Sequence, residues 1–140
     1  MKNLIFLLLP LLVTFTSTAQ LAQTRAEIIE KYGYDYKTGT TDGDATPFIY
    51  YEKMFTTDAS GTYKQTEAMY FFTTTEGVKL CYLWRLIEPD TETNNNVIYL
   101  NSKYVKRKTM EWKDYRTGAV YSMKVEDGLC VISAWLETED

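Results

Sequence analysis

Along much of this chain apolar and polar residues alternate with a period of two, the spacing that puts one set of side chains on each face of a β-strand and that a helix cannot use. Over residues 78–87, Val78, Leu80, Tyr82, Trp84 and Leu86 fall on one face, and Lys79, Cys81, Leu83, Arg85 and Ile87 on the other. The second face is therefore only partly apolar. Ala119, Tyr121, Met123 and Val125 alternate in the same way with Val120, Ser122, Lys124 and Glu126. Strand composition also marks 48–55, 63–74, 109–115 and 129–137. The segments Asp58-Ala-Ser-Gly61, Glu76-Gly77, Arg116-Thr-Gly118 and Asp127-Gly128 supply turn chemistry between successive runs, so adjacent strands are expected to form antiparallel hairpins.

Two segments carry helical rather than strand signals. Thr24-Arg-Ala-Glu27 is a capping box, Ile28, Ile29 and Tyr32 share one helical face, and Gly33 stands where a helix ends, which predicts a helix over Arg25–Tyr32. Pro89 followed by Asp90 or Thr91 reads as a second helix start, with Val97, Leu100 and Tyr104 at helical spacing. Asn94-Asn-Asn96 are poor helix formers, so a loop and short strand are the alternative there. The stretch 33–47, rich in Gly, Thr and Asp, reads as a loop.

Helix, three strands, helix, three strands is thus the expected order. The fold class is α+β: an antiparallel sheet of about six strands with two helices on one face, as a duplicated α-β-β-β unit. Ala68-Met-Tyr70, Glu76-Gly77, Leu80-Cys81 and Trp84 parallel Ala119-Val-Tyr121, Asp127-Gly128, Leu129-Cys130 and Trp135, although two hairpins of similar composition would read alike. The order resembles the beta-lactamase-inhibitor-like fold, in which helix and antiparallel-sheet units are duplicated. No site residue follows from that resemblance.

The N-terminus constrains location. Lys2, an apolar run over 4–13 interrupted by Pro10, and Ser17-Thr18-Ala19 before Gln20 read as a cleaved export signal over 1–19. The run is too short to span a bilayer, and no Cys stands at a lipid-attachment position. One domain over 20–140 is expected, soluble in the periplasm or secreted from a bacterial cell, with no later membrane span. Losing Lys2 with the leader takes the net charge from −4 to −5, which disfavours nucleic acid. The one basic run, 103–108, reads as a helix end or strand edge.

Histidine is absent from the 140 residues. That removes Ser-His and Cys-His nucleophile pairs and nearly all familiar zinc sites, and no phosphate loop or dinucleotide fingerprint appears. Glu52, Glu67, Glu88, Glu111 and Asp114 are strand-associated carboxylates of the type that cleaves glycosides in pairs, but no pair stands out. Asp35, Asp42 and Asp44 lack the spacing of a calcium loop. Cys81 and Cys130, matched in the suggested repeat, are candidates for a disulfide in an oxidising compartment, or for two buried thiols. Tyr34 and Tyr36, beside the first helix, are candidates for a contact surface, with packing over the sheet edge as the other reading. Trp112 is expected to face the core with Met110. These features predict a binding domain without catalytic chemistry or cofactor, its partner an envelope or extracellular protein. A homo-oligomeric assembly factor and a glycan-binding module are the alternatives.

Overall fold

The computed structural model describes residues 20–138, so the leader expected over 1–19 lies outside them. The chain runs α1 (Arg25–Tyr32), β1 (Lys37–Thr40), β2 (Pro47–Thr57), β3 (Gly61–Thr73), β4 (Lys79–Pro89), a 3-10 turn (Asp90–Glu92), α2 (Thr93–Lys103), β5 (Val105–Lys108), β6 (Glu111–Asp114), β7 (Ala119–Glu126) and β8 (Leu129–Leu136). All eight strands join one sheet in the order β1-β2-β3-β4-β8-β7-β6-β5, each pair antiparallel. The expectation of about six strands is corrected to eight, and the repeating unit is a helix followed by four strands. The two halves meet where β4 pairs with β8, Trp84 opposite Ala134, Leu86 opposite Ile132 and Glu88 opposite Cys130.

The two additional strands are the sheet's outer edges. β1 lies in the stretch that reads as a loop, and β5 in the basic run. Neither has an apolar face of its own; each is held by hydrogen bonding to one longer neighbour. Gly39 in β1 is required by close approach: a Cβ there would stand 2.5 Å from Cζ of Phe48 on β2. β5 leaves all four of its residues exposed, three of them cationic, a composition that discourages edge-to-edge pairing.

Both helices pack on the same face of the sheet. Ile28 and Ile29 of α1 and Leu100 of α2 meet Ile49, Tyr51, Met69, Phe71, Cys81, Trp84, Leu86, Trp112, Tyr121, Met123, Cys130, Ile132 and Ala134 in one core. Trp112 is fully buried, as its strand pattern predicts, and its indole N–H donates to Asn101 Oδ1 at 2.8 Å. The simple alternation expected over 78–87 is broken by a β-bulge, Phe71 pairing with Cys81 but Tyr70 with Leu83. The extra residue, Tyr82, shifts the register. Cys81 therefore joins Trp84 and Leu86 on the helix face, and Tyr82 is left 40% exposed.

α1 forms over the residues its sequence predicts because its first turn is closed on both sides. Thr24 Oγ1 accepts from the Glu27 N–H at 3.1 Å, and Glu27 Oε2 accepts from the Thr24 N–H at 3.2 Å. The preceding segment is tied to β4 by Ala22 N–H to Cys81 O at 2.8 Å and Cys81 N–H to Gln23 O at 2.9 Å. These bonds occupy the stretch of β4 that β8 does not reach. α2 is a helix, as its apolar spacing predicts, with Leu100 buried and Val97 and Tyr104 partly so. Replacing Thr24 with Ala is expected to cost about 1 kcal/mol of unfolding free energy, the usual value of an N-cap. Thr24→Ser should recover most of it in urea denaturation.

Candidate functional site: the sheet face away from the helices

An antiparallel sheet with helices on one face keeps its other face for water unless something else covers it. Here that second face is not a polar one. Strand alternation and register place Phe48 and Tyr50 of β2, Ala68 and Tyr70 of β3, Leu83, Arg85 and Ile87 of β4, Val131, Ser133 and Trp135 of β8, and Val120 of β7 together on it. Ala68, Tyr70 and Val120 are buried although they belong to no part of the helix-side core. Phe48, Tyr50, Leu83, Ile87, Val131 and Trp135 are half-buried. The rings pack on one another, Phe48 lying 4.9 Å from Tyr70 and 6.0 Å from Tyr50 between centroids.

Arg85 sits at the middle of this face. Across the sheet it is aligned with Ala68 and Tyr50 to one side and with Ser133, Ser122 and Glu111 to the other. Its two cross-strand neighbours, Ala68 and Ser133, are small. The guanidinium rests 5.2 Å from the Tyr70 ring centroid and donates through Nε to Ser133 Oγ at 3.3 Å. Nη1 donates to the Tyr70 hydroxyl at 3.5 Å, so stacking and two neutral acceptors hold it in place. The other cations of this face are paired with acids: Lys37 and Lys64 with Glu52 at 2.8 and 3.5 Å, Arg107 with Glu111 at 3.0 Å, and Arg107 and Lys113 with Glu137 at 2.8 and 2.6 Å. Lys113 and Arg107 together hold the Glu137 carboxyl down at about 2. Arg85 forms no ion pair among the described residues. The face thus offers one central, unneutralised cation inside an aromatic and aliphatic surround, with paired charges at both ends.

The tyrosines singled out by sequence lie elsewhere. Tyr34 is 84% exposed beside α1. Tyr36 folds back against the helix side of the sheet, 6.2 Å from the Tyr51 ring, with the Arg25 guanidinium 5.3 Å above it. They do not converge on one surface. The sequence pattern assigns Arg85 to the partly apolar second face; what it does not show is that neighbouring strands add aromatic rings there.

The sequence-selected acids also separate. Glu52 and Glu111 are consumed by ion pairs, and Asp114 caps a turn, accepting from Arg116 N–H and Thr117 Oγ1 at 2.9 Å each. Asp44 likewise serves its own loop, accepting from Thr41 and from the Thr46 N–H, and no group of three or more His, Cys, Asp or Glu among the described residues is placed to share a metal ion. Glu67 and Glu88 are buried on the helix side. Glu67 accepts from the Trp84 indole N–H at 2.7 Å, and burial pushes its carboxyl above the ordinary range. Glu88 comes together with Glu92, which the sequence did not single out: both accept from the Tyr63 hydroxyl. Cys81 and Cys130 are both free and buried. Cys130 pairs with Glu88, roughly 20 Å along β4 from Cys81 at ~3.3 Å per residue, far beyond disulfide reach. The disulfide expectation is therefore corrected to two core thiols.

Compared with protein-family models, with curated proteins and with solved structures, the chain matches none of them. No helix among the described residues is long and apolar enough to cross a membrane.

Two outcomes follow from the buried groups. Denatured without reductant, the protein should titrate two thiols; folded, Cys81 should resist the same reagent, because burial pushes its thiol up to about 12. Glu67 binds its proton more tightly folded than unfolded, so its charge opposes folding as the pH rises above the ordinary carboxylate value of 4.5. The unfolding free energy of Glu67→Gln relative to the native chain should therefore increase as pH is raised through that value. A pH-independent difference in urea melts would contradict this.

Proposed function

We propose that this protein is a small exported binding domain that acts without catalytic chemistry, and that its partner is another envelope or extracellular protein engaged through the sheet face opposite the helices. The observation that carries this reading is Arg85: a half-buried guanidinium with no carboxylate among the described residues, at the centre of an aromatic and aliphatic surface that no described element covers. Protein interfaces are built around such anchors, with Arg, Tyr and Trp dominating the buried centre and paired charges confined to the rim. The partner chemistry that fits is an Asp or Glu side chain, or a chain-terminal carboxylate, set among apolar residues. Arg85 would receive the carboxylate through Nη2 and the remaining N–H of Nη1, its other donors being held by Ser133 and Tyr70, while Tyr50, Trp135 and Val131 lose water around it. The sequence pattern of 1–19 supports export, and the absence of histidine leaves few of the usual catalytic groups.

Assembly of identical chains through the sheet edges fits less well. β5 presents Lys106, Arg107 and Lys108 along its exposed backbone, and like charges oppose pairing of two such edges.

The test uses residues 20–140 as bait against the exported proteins of the source organism. A partner retained by the native domain should lose at least tenfold in affinity with Arg85→Ala and with Trp135→Ala. Lys108→Ala at the sheet edge should bind as the native domain does. Retention that is insensitive to Arg85 and Trp135, or recovery of the bait alone, would overturn the reading.

A further inference from the structure

On the helix side of the sheet, α2 does not close completely onto the strands beneath it. A cavity of about 260 Å³ remains, floored by Trp84, Leu86 and Ile132 and walled by Phe55, Tyr63, Gln65 and Tyr121 from the sheet, with Asn96, Tyr99 and Leu100 from α2. Glu88 and Glu92 project into the same space. Trp84, Leu86, Glu88, Glu92, Leu100, Tyr121 and Ile132 are buried, whereas Phe55, Tyr63, Asn96 and Tyr99 are half-buried. The cavity therefore has a closed end and a mouth.

Its lining is one-sided in charge. Glu88 accepts from Tyr63 and from Asn96 Nδ2 at 3.1 Å. Glu92 accepts from Thr57 at 2.9 Å, Ser60 at 2.6 Å, Asn95 at 3.4 Å and Tyr63 at 3.4 Å. Every one of these donors is neutral. Neither carboxylate forms an ion pair among the described residues, and no Lys or Arg lines the cavity. Burial alone would lift the Glu92 carboxyl, but its hydrogen bonds outweigh burial and hold it below the ordinary range, so the negative charge persists inside. Buried charge of one sign is normally matched by a counter-charge. The Gln65 amide, also at the lining, has no hydrogen-bond partner among the described residues. Five aromatic rings complete the wall, and aromatic faces attract cations.

We propose that this cavity is a binding site for a small organic cation, a primary ammonium carried on a short apolar chain. The ammonium would donate to Glu88, which accepts two hydrogen bonds of the about four a carboxylate can take. Glu92, whose acceptor sites are filled by its four donors, adds its charge beside it. The apolar chain would lie against Trp84, Phe55 and Tyr99, with Gln65 available to a polar substituent. A cavity of this volume excludes a peptide segment or an oligosaccharide. The site is independent of Arg85, which stands on the opposite face of the sheet, and failure of one proposal leaves the other standing.

The test titrates the native domain with n-butylammonium, with 1-butanol as the neutral isostere and with choline as a cation that cannot donate from nitrogen. Binding is followed by calorimetry and by side-chain and indole NMR signals. Saturable binding of butylammonium at least tenfold tighter than butanol and than choline is expected, with shifts at the Asn96 side-chain amide and the Trp84 indole. Glu88→Gln should weaken it at least tenfold and Arg85→Ala should leave it unchanged. If Glu88→Gln fails to fold, the three-ligand comparison on the native domain still decides. No saturable binding, equal or tighter binding of butanol or choline, or shifts confined to the Arg85 face would overturn the proposal.

Discussion

Two short helices cannot cover an eight-stranded sheet, and most of what distinguishes this molecule follows from that mismatch. At ~1.5 Å per residue, α1 is about 12 Å long and α2 about 17 Å, whereas eight strands spaced ~4.8 Å apart span roughly 34 Å. Because both helices lie on one side, the opposite face receives no cover from any described element. Even on the helix side the cover is incomplete, and a 260 Å³ cavity remains beside α2. The uncovered face and the internal acidic cavity are thus two consequences of one shortage of helix.

The β4–β8 pairing makes this arrangement a single body. Each half contributes one helix and four strands, and the longest inner strands carry the core while short polar strands close the edges. Polar groups that burial traps on the helix side are all answered: every buried side-chain nitrogen and oxygen among the described residues has a hydrogen-bond partner. Glu67 meets Trp84, and Glu88 and Glu92 share Tyr63. Hydrogen bonds satisfy these carboxylates geometrically but set no cation beside Glu88 or Glu92, and Arg85 on the other face is left without an acid. The molecule therefore keeps an acid without a cation, Glu92, on one side of the sheet and a cation without an acid, Arg85, on the other.

Much of this was legible from residue pattern, and the exceptions have physical causes. Thr24 and Glu27 announce α1 because a capping box is local chemistry, complete within four residues. β7 and β8 are readable because Ala119–Glu126 alternates cleanly between a dry face and a wetter one. Lys37–Thr40 and Val105–Lys108 carry no such alternation; they are strands only because β2 and β6 offer hydrogen bonds beside them. The bulge at Tyr82 was hidden for the same reason, since it is defined by β3 across the sheet rather than by β4 itself. The suggested Cys81–Cys130 match failed because that bulge and the antiparallel centre place equivalent-looking residues far apart. Arg85 could be assigned to the less apolar face of its strand, but its importance depends on Tyr50, Tyr70 and Trp135 arriving from three other strands. Glu92 reaches Glu88 through the 3-10 turn at Asp90–Glu92 and a side chain from β3, a meeting that linear spacing does not encode.

The most direct measurement is cross-saturation NMR of the methyl-labelled domain in complex with its partner, read on residues whose faces the register separates. Ile87 and Val131 lie on the open face, Leu86 and Ile132 beneath the helices. Strong attenuation of Ile87 and Val131 methyls, with Leu86 and Ile132 unaffected, is the expected result. Attenuation centred instead on Ile98 of α2, with Ile87 and Val131 unchanged, would contradict the claim that the uncovered sheet face is where this protein binds.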